Sequence, residues 1–218
     1  YHPYPIQNVN YFEYIIPGLI GMVLLFSGMQ SSLSMVYDRE MGVMRLLLTA
    51  PLPRWYLLFA KLLSGTFLSV VQAYVFLVIC IPIIGLLINL STPMIGWIYV
   101  LPASILFGMM LGALGLLISV YIKQLENFAG TMNFVIFPMF FISSALYPLW
   151  RLKDNGAEFV WWLAHLNPFT YGVELVRWAS LGQIYLPGIL VLLVCTFVFL
   201  FFAVIGYDPQ KGMTRKGR

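Results

Sequence analysis

The sequence has very little charge. Only 9% of its 218 residues are charged and 61% are hydrophobic, whereas soluble domains carry about 25% charged residues. No charged residue occurs anywhere from Leu62 to Ile122. This composition excludes an ordinary soluble domain and predicts an integral membrane protein with several spans.

Residues that could carry chemistry are also scarce. Cys80 and Cys195 lie in apolar stretches, where cysteine behaves as a small hydrophobe, so neither a disulfide framework nor a metal site is predicted. His2 and His165 fall at expected surfaces and are not predicted to be catalytic. The spans contain no Asp, Glu or His, which argues against a membrane enzyme and against a transporter that couples protons or sodium through an intramembrane charge.

A phosphate-binding loop of the form Gly-x-x-x-x-Gly-Lys-Ser/Thr is missing from the sequence. The chain is therefore predicted not to hydrolyse ATP itself. Its formal charge of +4 comes largely from the tail, residues 208–218, which holds Lys211, Arg215, Lys216 and Arg218. A basic tail beside a span is typical of membrane flanks, and no nucleic-acid partner is predicted.

Apolar stretches predict the fold class: all-α, a polytopic integral membrane helical bundle forming one transmembrane domain over residues 1–218. Each stretch is long enough to cross a hydrocarbon core of about 30 Å at about 1.5 Å per residue. In the third, Gly108, Gly112 and Gly115 recur at helical spacing and predict close packing against another helix. Pro138 lies in the middle of the fourth and predicts a kink. The five predicted spans are about 14–37, 56–88, 97–122, 128–149 and 186–207.

Lysine and arginine predict the orientation. Nine of the 12 Lys and Arg residues lie in the segment 38–61, the turn 123–126 and the tail 208–218, while the segment 150–187 holds the other three. The positive-inside rule therefore places the first loop and the tail in the cytoplasm. Five spans then place Tyr1 outside.

The loop at 38–54 has an unusual pattern. Met41, Met44, Leu47 and Leu48 recur at three- and four-residue spacing after a charged triplet. This spacing predicts a short helix lying flat on the membrane surface. Pro51 would end it, because proline cannot donate the helical hydrogen bond.

The segment holds the triplet Asp38-Arg39-Glu40, then Gly42, Leu46-Leu47, Pro51, Arg54 and Lys61. In this pattern the sequence resembles the type-2 ABC transporter permeases, the membrane subunits of ATP-driven exporters. Ala60, where the family usually has glycine, is the one departure. The resemblance implies that loop 38–54 is a coupling helix that docks on a separate cytoplasmic ABC ATPase subunit. That partner would bind ATP and Mg²⁺, and no cofactor is expected on this chain. The predicted ATPase-coupling residues are Asp38, Arg39, Glu40, Gly42, Arg45, Leu46, Leu47, Pro51, Arg54 and Lys61.

A second stretch, 137–177, resembles the other family signature, with Ser144 where glycine is more usual. The resemblance implies that residues 147–185 form short external re-entrant helices, which we interpret as an external gate. An interfacial helix pair that only anchors the fold is the alternative. Asn167 is a good helix cap with Pro168 at the first helical position, and Glu174 and Arg177 are spaced to pair on one face. The predicted gate residues are Pro148, Asn167, Pro168, Thr170, Tyr171, Glu174 and Arg177.

The same gate segment is rich in apolar side chains. Two short helices divided at Asn167–Pro168 are expected to bury residues such as Phe159, Trp162 and Leu166 against the ends of the spans, because exposed apolar patches normally mark a buried or membrane-facing surface.

The resemblance implies a function. The chain would be the permease of an ABC exporter in a bacterial inner membrane, paired with a second copy or a related permease, and moving an apolar, amphipathic or lipid-linked cargo. Family permeases have six spans, and this sequence starts at Tyr1, so one more helix is expected upstream. A non-transporting membrane scaffold or receptor subunit is the alternative.

Overall fold

Seven helices make up the described part of the chain. The computed structural model describes residues 11–41, 54–87, 96–122, 124–149 and 158–207, and no strand occurs within these ranges. The prediction of an all-α membrane bundle is confirmed. The helices are α1 (Tyr11–Glu40), α2 (Arg54–Leu87), α3 (Gly96–Tyr121), α4 (Leu125–Phe141), α5 (Glu158–Leu166), α6 (Pro168–Ser180) and α7 (Leu186–Gly206).

The helices α1, α2, α3 and α7 are long and apolar enough to cross a membrane, over Tyr14–Glu40, Trp55–Cys80, Gly96–Tyr121 and Leu186–Gly206. The fourth predicted span, 128–149, differs. There α4 has 17 residues and ends at Phe141, which gives a length of about 26 Å against a core of about 30 Å.

A polar turn ends α4 early. The Ser143 hydroxyl donates to the Phe140 carbonyl at 2.5 Å and accepts from the Ala145 N–H at 3.2 Å. Such local bonds compete with the helical ladder. Pro138 consequently lies in the last turn of α4 and not in the middle of a span.

Helix α3 is the centre of the bundle. It packs against α1, α2, α6 and α7. Of an apolar 18-residue stretch of α3, 67% is buried, compared with 22% of such a stretch of α7. A helix that is apolar on every side suits an enclosed position. The peripheral α7 instead presents much of its apolar surface outward, as a lipid-facing helix does.

The glycines of α3 set its distance from two neighbours. A Cβ added at Gly115 would lie 2.4 Å from the Ser32 hydroxyl of α1, and one at Gly112 would lie 2.8 Å from Leu62 of α2. Gly108 faces Ser69 of α2 in the same way, at 3.2 Å. The stripe is therefore where α1 and α2 approach α3.

Helix α6 inserts among the spans, while α5 does not. A Cβ at Gly172 would come within 2.2 Å of Phe107 of α3, and the Phe107 and Phe169 ring centroids are 5.2 Å apart. The fold thus buries the apolar side of α6 against α1, α3 and α7.

The expectation that the apolar residues of α5 pack against the spans is wrong. Phe159, Trp162 and Leu166 are 75%, 63% and 77% exposed. The reason is that α5 packs mainly against α6, so among the described helices no span covers these side chains. They form an apolar surface suited to the membrane boundary.

We predict that Gly115→Ala lowers the stability of the folded protein by about 1–3 kcal/mol, since the added methyl overpacks the α1–α3 contact. Gly130→Ala is the matched control, because a Cβ there meets nothing within 4 Å and alanine favours the helix by about 0.5–1 kcal/mol. Thermal unfolding of the two purified variants in one detergent gives the comparison. Equal unfolding temperatures would contradict the packing described here.

Candidate functional site

Three consecutive charged residues at the end of α1 contact three different helices. Successive residues on an α-helix are rotated by about 100°, so Asp38, Arg39 and Glu40 face about 200° of the helix circumference. This spread lets a single turn reach α2, α3 and α4. We call these three residues, with Lys61, the loop-end cluster, since they lie where the chain leaves α1 for the 41–54 loop.

Asp38 forms an ion pair with Lys61 of α2. The Lys61 ammonium also donates to the Ser34 hydroxyl at 3.4 Å. Both side chains of the pair are partly shielded, with exposures of 25% for Asp38 and 20% for Lys61. The pair therefore ties the end of α1 to the first turns of α2.

Arg39 caps the end of α3. Its Nη1 donates to the carbonyls of Ser119, Val120 and Ile122, each at 3.4 Å. The last carbonyls of a helix have no partner within the helix, and a cation there also interacts favourably with the helix dipole. Arg39 thus supplies from α1 what the end of α3 lacks.

Glu40 caps the start of α4. Its Oε1 accepts from the Leu125 N–H at 3.1 Å. The side chain of Gln124, the residue before α4, makes no capping bond. A carboxylate at a helix N-terminus satisfies an unpaired N–H and complements the dipole, so the described start of α4 depends on a residue of α1.

Other predicted coupling residues lie outside the described residues. Arg54 is the first residue of α2, and α1 ends at Glu40. The structure therefore describes the residues on both sides of the loop. The undescribed ones are Gly42, Arg45, Leu46, Leu47 and Pro51.

Arg177 organises the opposite end of the bundle. Although it is charged, it is only 4% exposed. Its Nη1 donates to Glu174 at 2.5 Å and its Nη2 to the Ser144 carbonyl at 2.9 Å. The guanidinium also lies 3.8 Å from the centroid of the Tyr14 ring, a cation–π arrangement. We call Tyr14, Ser144, Glu174 and Arg177 the Arg177 cluster.

Tyr14 completes this cluster from α1. Its hydroxyl donates to the Ser144 carbonyl at 2.9 Å, the same oxygen that Arg177 contacts. Sequence reasoning named Arg177 and noted Ser144 but missed Tyr14. The available signal was its place at the start of a span, where aromatic residues are enriched.

Asn167 caps two helices at once. Its Oδ1 accepts from the Phe169 N–H at 3.0 Å, which caps α6. Its Nδ2 donates to the Met139 and Ile142 carbonyls at 2.6 and 3.0 Å, at the end of α4. The expected cap with Pro168 at the first helical position is therefore present, and the second role of Asn167 joins α6 to α4.

The remaining predicted gate residues lie near this cap. Thr170 is buried in α6, and Tyr171 and Pro148 are half-buried. Close by, Trp178 stacks on Tyr185 with ring centroids 6.0 Å apart. Burial raises the pKa of Tyr185, and the nearby Glu174 carboxylate adds to the rise.

The described residues do not form a metal centre. Within them, no group of three or more His, Cys, Asp or Glu side chains could hold a metal ion. The two clusters consist instead of cross-helix hydrogen bonds and ion pairs, which join helices and stabilise their ends.

Comparison with known proteins gives one family. A family model described as "ABC-2 type transporter" matches residues 4–181. The chain is 27% identical over 180 residues to "Putative transport permease ycf38" of Cyanophora paradoxa, covering 80% of this chain and 59% of that protein.

Two Escherichia coli (strain K12) proteins are similar at a comparable level. "Probable multidrug ABC transporter permease YbhR" is 26% identical over 82% of this chain and 45% of its own length. "Inner membrane transport permease YadH" is 25% identical over 91% of this chain and 76% of its own length. The chain thus spans about half the length of several curated relatives it matches.

We predict that Arg177→Leu lowers the free energy of unfolding by about 3–5 kcal/mol, because it strands the partner of a buried ion pair. Arg177→Lys keeps the charge but lacks the planar fork, so it should fall between this variant and the wild type. Thermal unfolding in detergent measures both. Wild-type stability of Arg177→Leu would show that the cluster does not hold α6 in place.

Proposed function

Because the chain belongs to the ABC-2 type transporter family, we propose that it is the membrane permease subunit of an ATP-driven exporter. The observation that carries the proposal is the loop-end cluster. One turn of α1, immediately before the loop, contacts the ends of α2, α3 and α4. A protein that docks on this loop would therefore act on four helices.

The route from loop to bundle is physical. Chain connectivity joins the loop directly to α1 and α2. Arg39 and Glu40 extend the connection to the end of α3 and the start of α4. Rigid elements joined by hydrogen bonds are the kind of contiguous network that carries energetic coupling between sites, so a displacement of the α1 end would displace all four.

A cytoplasmic ABC ATPase subunit is the partner that this geometry suits. The chain has no phosphate-binding loop of its own, so the partner would bind ATP and Mg²⁺. The functional assembly would contain two permeases, identical or related, and two ATPase subunits. The relative YadH is named as an inner membrane transport permease, which supports a bacterial inner membrane for this multi-pass chain.

The cargo is an apolar, amphipathic or lipid-linked molecule. The spans are rich in Phe, Met and Leu and lack acidic residues at depth, which disfavours a cation as cargo. The relative YbhR is named as a probable multidrug permease, in agreement with an organic cargo that leaves the cell.

The far end of the bundle would act as the external gate. Helix α6 is inserted between α1, α3 and α7, and the Arg177 cluster joins it to Tyr14 of α1 and to the turn after α4. An exporter needs one end closed while the other is open. The ties of α6 to α1 and α4 are the contacts that would have to rearrange.

We predict that Arg39→Glu uncouples the permease from its ATPase. The substitution places an anion against the carbonyls that end α3, where the helix dipole disfavours it. The measurement is ATP hydrolysis by the reconstituted complex, compared with hydrolysis by the ATPase subunit alone. With Arg39→Glu, the complex should hydrolyse ATP at the rate of the ATPase subunit alone, while the permease remains inserted in the membrane.

Glu126→Lys is the matched control. Like Arg39→Glu it reverses a charge near the loop end, but Glu126 is exposed in the first turn of α4. It should leave permease-dependent hydrolysis intact. If Arg39→Glu behaves like Glu126→Lys, the loop-end cluster does not couple the two subunits, and a scaffold or receptor role gains support.

A further inference from the structure

Polar side chains of the spans follow one line along α1 and α2. On α1 they are Ser27, Gln30, Ser31 and Ser34, and on α2 they are Lys61, Ser64 and Gln72, with Gly65 between them. Spacings of three, four and seven residues put each set on one side of its helix. We call this surface the α1–α2 polar face.

Contacts between the helices show that the two sets meet. The Ser27 hydroxyl donates to Gln72, and Ser34 contacts Lys61 at 3.4 Å. A Cβ at Gly65 would lie 2.1 Å from the Ser31 hydroxyl. The two lines of side chains therefore form a single surface.

This surface is exposed at membrane depth. Gln30, Ser34, Ser64 and Gln72 are all exposed, and Gln30 and Ser64 have no hydrogen-bond partner within the described ranges. Lipid tails cannot satisfy amide or hydroxyl groups, and each unsatisfied group costs several kcal/mol. The polar face must therefore meet water or polar atoms from outside the described residues.

The face changes character with depth. From Asp38 to Ser27 it extends about 16 Å along α1 at 1.5 Å per residue, about half of a 30 Å core. Beyond Ser27 the same side of α1 continues with Leu19, Met22, Val23 and Phe26, all partly exposed. One half is thus hydrogen-bonding and the other apolar.

The polar half is also uncharged at depth. Its one cation, Lys61, is paired with Asp38 at the loop end. Gln and Ser side chains both donate and accept hydrogen bonds, which matches hydroxyl and amide groups. A phosphate or a carboxylate would find no unpaired cation on this face.

We propose that the α1–α2 polar face binds the neutral, hydroxyl- or amide-rich headgroup of an amphipathic cargo, whose apolar part lies against the Phe26 half. This inference rests on the proposed transport function and specifies its cargo. The division of the face at Ser27 matches the division of such a molecule into head and tail.

A second copy of this chain fits the same surface less well. Tight helix–helix contacts in membranes use small residues that let backbones approach. The glycines of α1 and α2 near this face are already used within the chain, since Gly65 contacts Ser31 and Gly28 faces Gly112. The long side chains of Gln30 and Phe26 would hold another helix at a distance, which leaves a space.

Thiol labelling tests the proposal. Cys80 and Cys195 are free and are first replaced by alanine; Gln30→Cys or Ser64→Cys is then introduced in the full-length protein in lipid nanodiscs. Phe67→Cys is the control, because Phe67 is 74% exposed and lies on α2 between Ser64 and Gln72. A charged, water-soluble maleimide should modify Gln30→Cys and Ser64→Cys several-fold faster than Phe67→Cys, since thiolate forms only where water reaches.

Headgroup selectivity is tested with three probes that share a decyl chain. Decyl maltoside, below its micelle concentration, should slow labelling of Gln30→Cys several-fold. Decyl phosphate and decyltrimethylammonium should slow it less. Protection by decyl phosphate alone would overturn the neutral-headgroup assignment.

Two further outcomes would also overturn the proposal. Equal labelling of Gln30→Cys and Phe67→Cys would mean that the face meets lipid. Rapid disulfide formation between two Gln30→Cys chains, with little labelling, would mean that a second copy covers it.

The labelling needs no ATPase, so its result does not depend on whether the chain couples to one. If decyl maltoside protects Gln30→Cys but the permease never alters ATP hydrolysis, the proposed function fails while the binding face stands. If hydrolysis depends on the permease but no probe protects, only the binding face fails.

Discussion

A helix that ends at the edge of a membrane must find partners for its last backbone groups, and this requirement explains several of the long-range hydrogen bonds among the described residues. Arg39 supplies them for the end of α3, Glu40 for the start of α4, and Asn167 for both the end of α4 and the start of α6. The caps of α3 and α4 come from outside the capped helix, whereas Asn167 caps the start of its own helix, α6. Local capping would have satisfied the same groups, but it would not have joined the helices.

Helix α1 connects the two ends of the bundle as a result. At one end it carries Asp38, Arg39 and Glu40, and at the other it carries Tyr14, which meets Arg177 and Ser144. Between them, α1 packs against α2, α3, α4 and α6. A movement at the loop end thus has a continuous rigid element along which to reach α6, and the α1–α2 polar face lies on that same element.

Much of this arrangement could be predicted from the sequence. Hydrophobic length predicted the helical bundle, and the sequence around Asn167 predicted a capped helix at Pro168 because capping depends on neighbouring residues. The charged triplet was predicted to matter, but only the fold could show that its members face three helices. The early end of α4 and the exposure of Phe159 were missed, because both depend on which element lies alongside.

The central claim is that this chain is a transport subunit driven from its loop end. Native mass spectrometry tests this claim most directly. The full-length protein carries an affinity tag, and the complex is purified through it from the protein's own membrane. The account predicts an assembly of two permeases with two ATP-binding subunits, and this assembly should stay intact when bound lipid is removed. Recovery of this protein with no ATP-binding subunit, under conditions in which other membrane complexes remain intact, would contradict it.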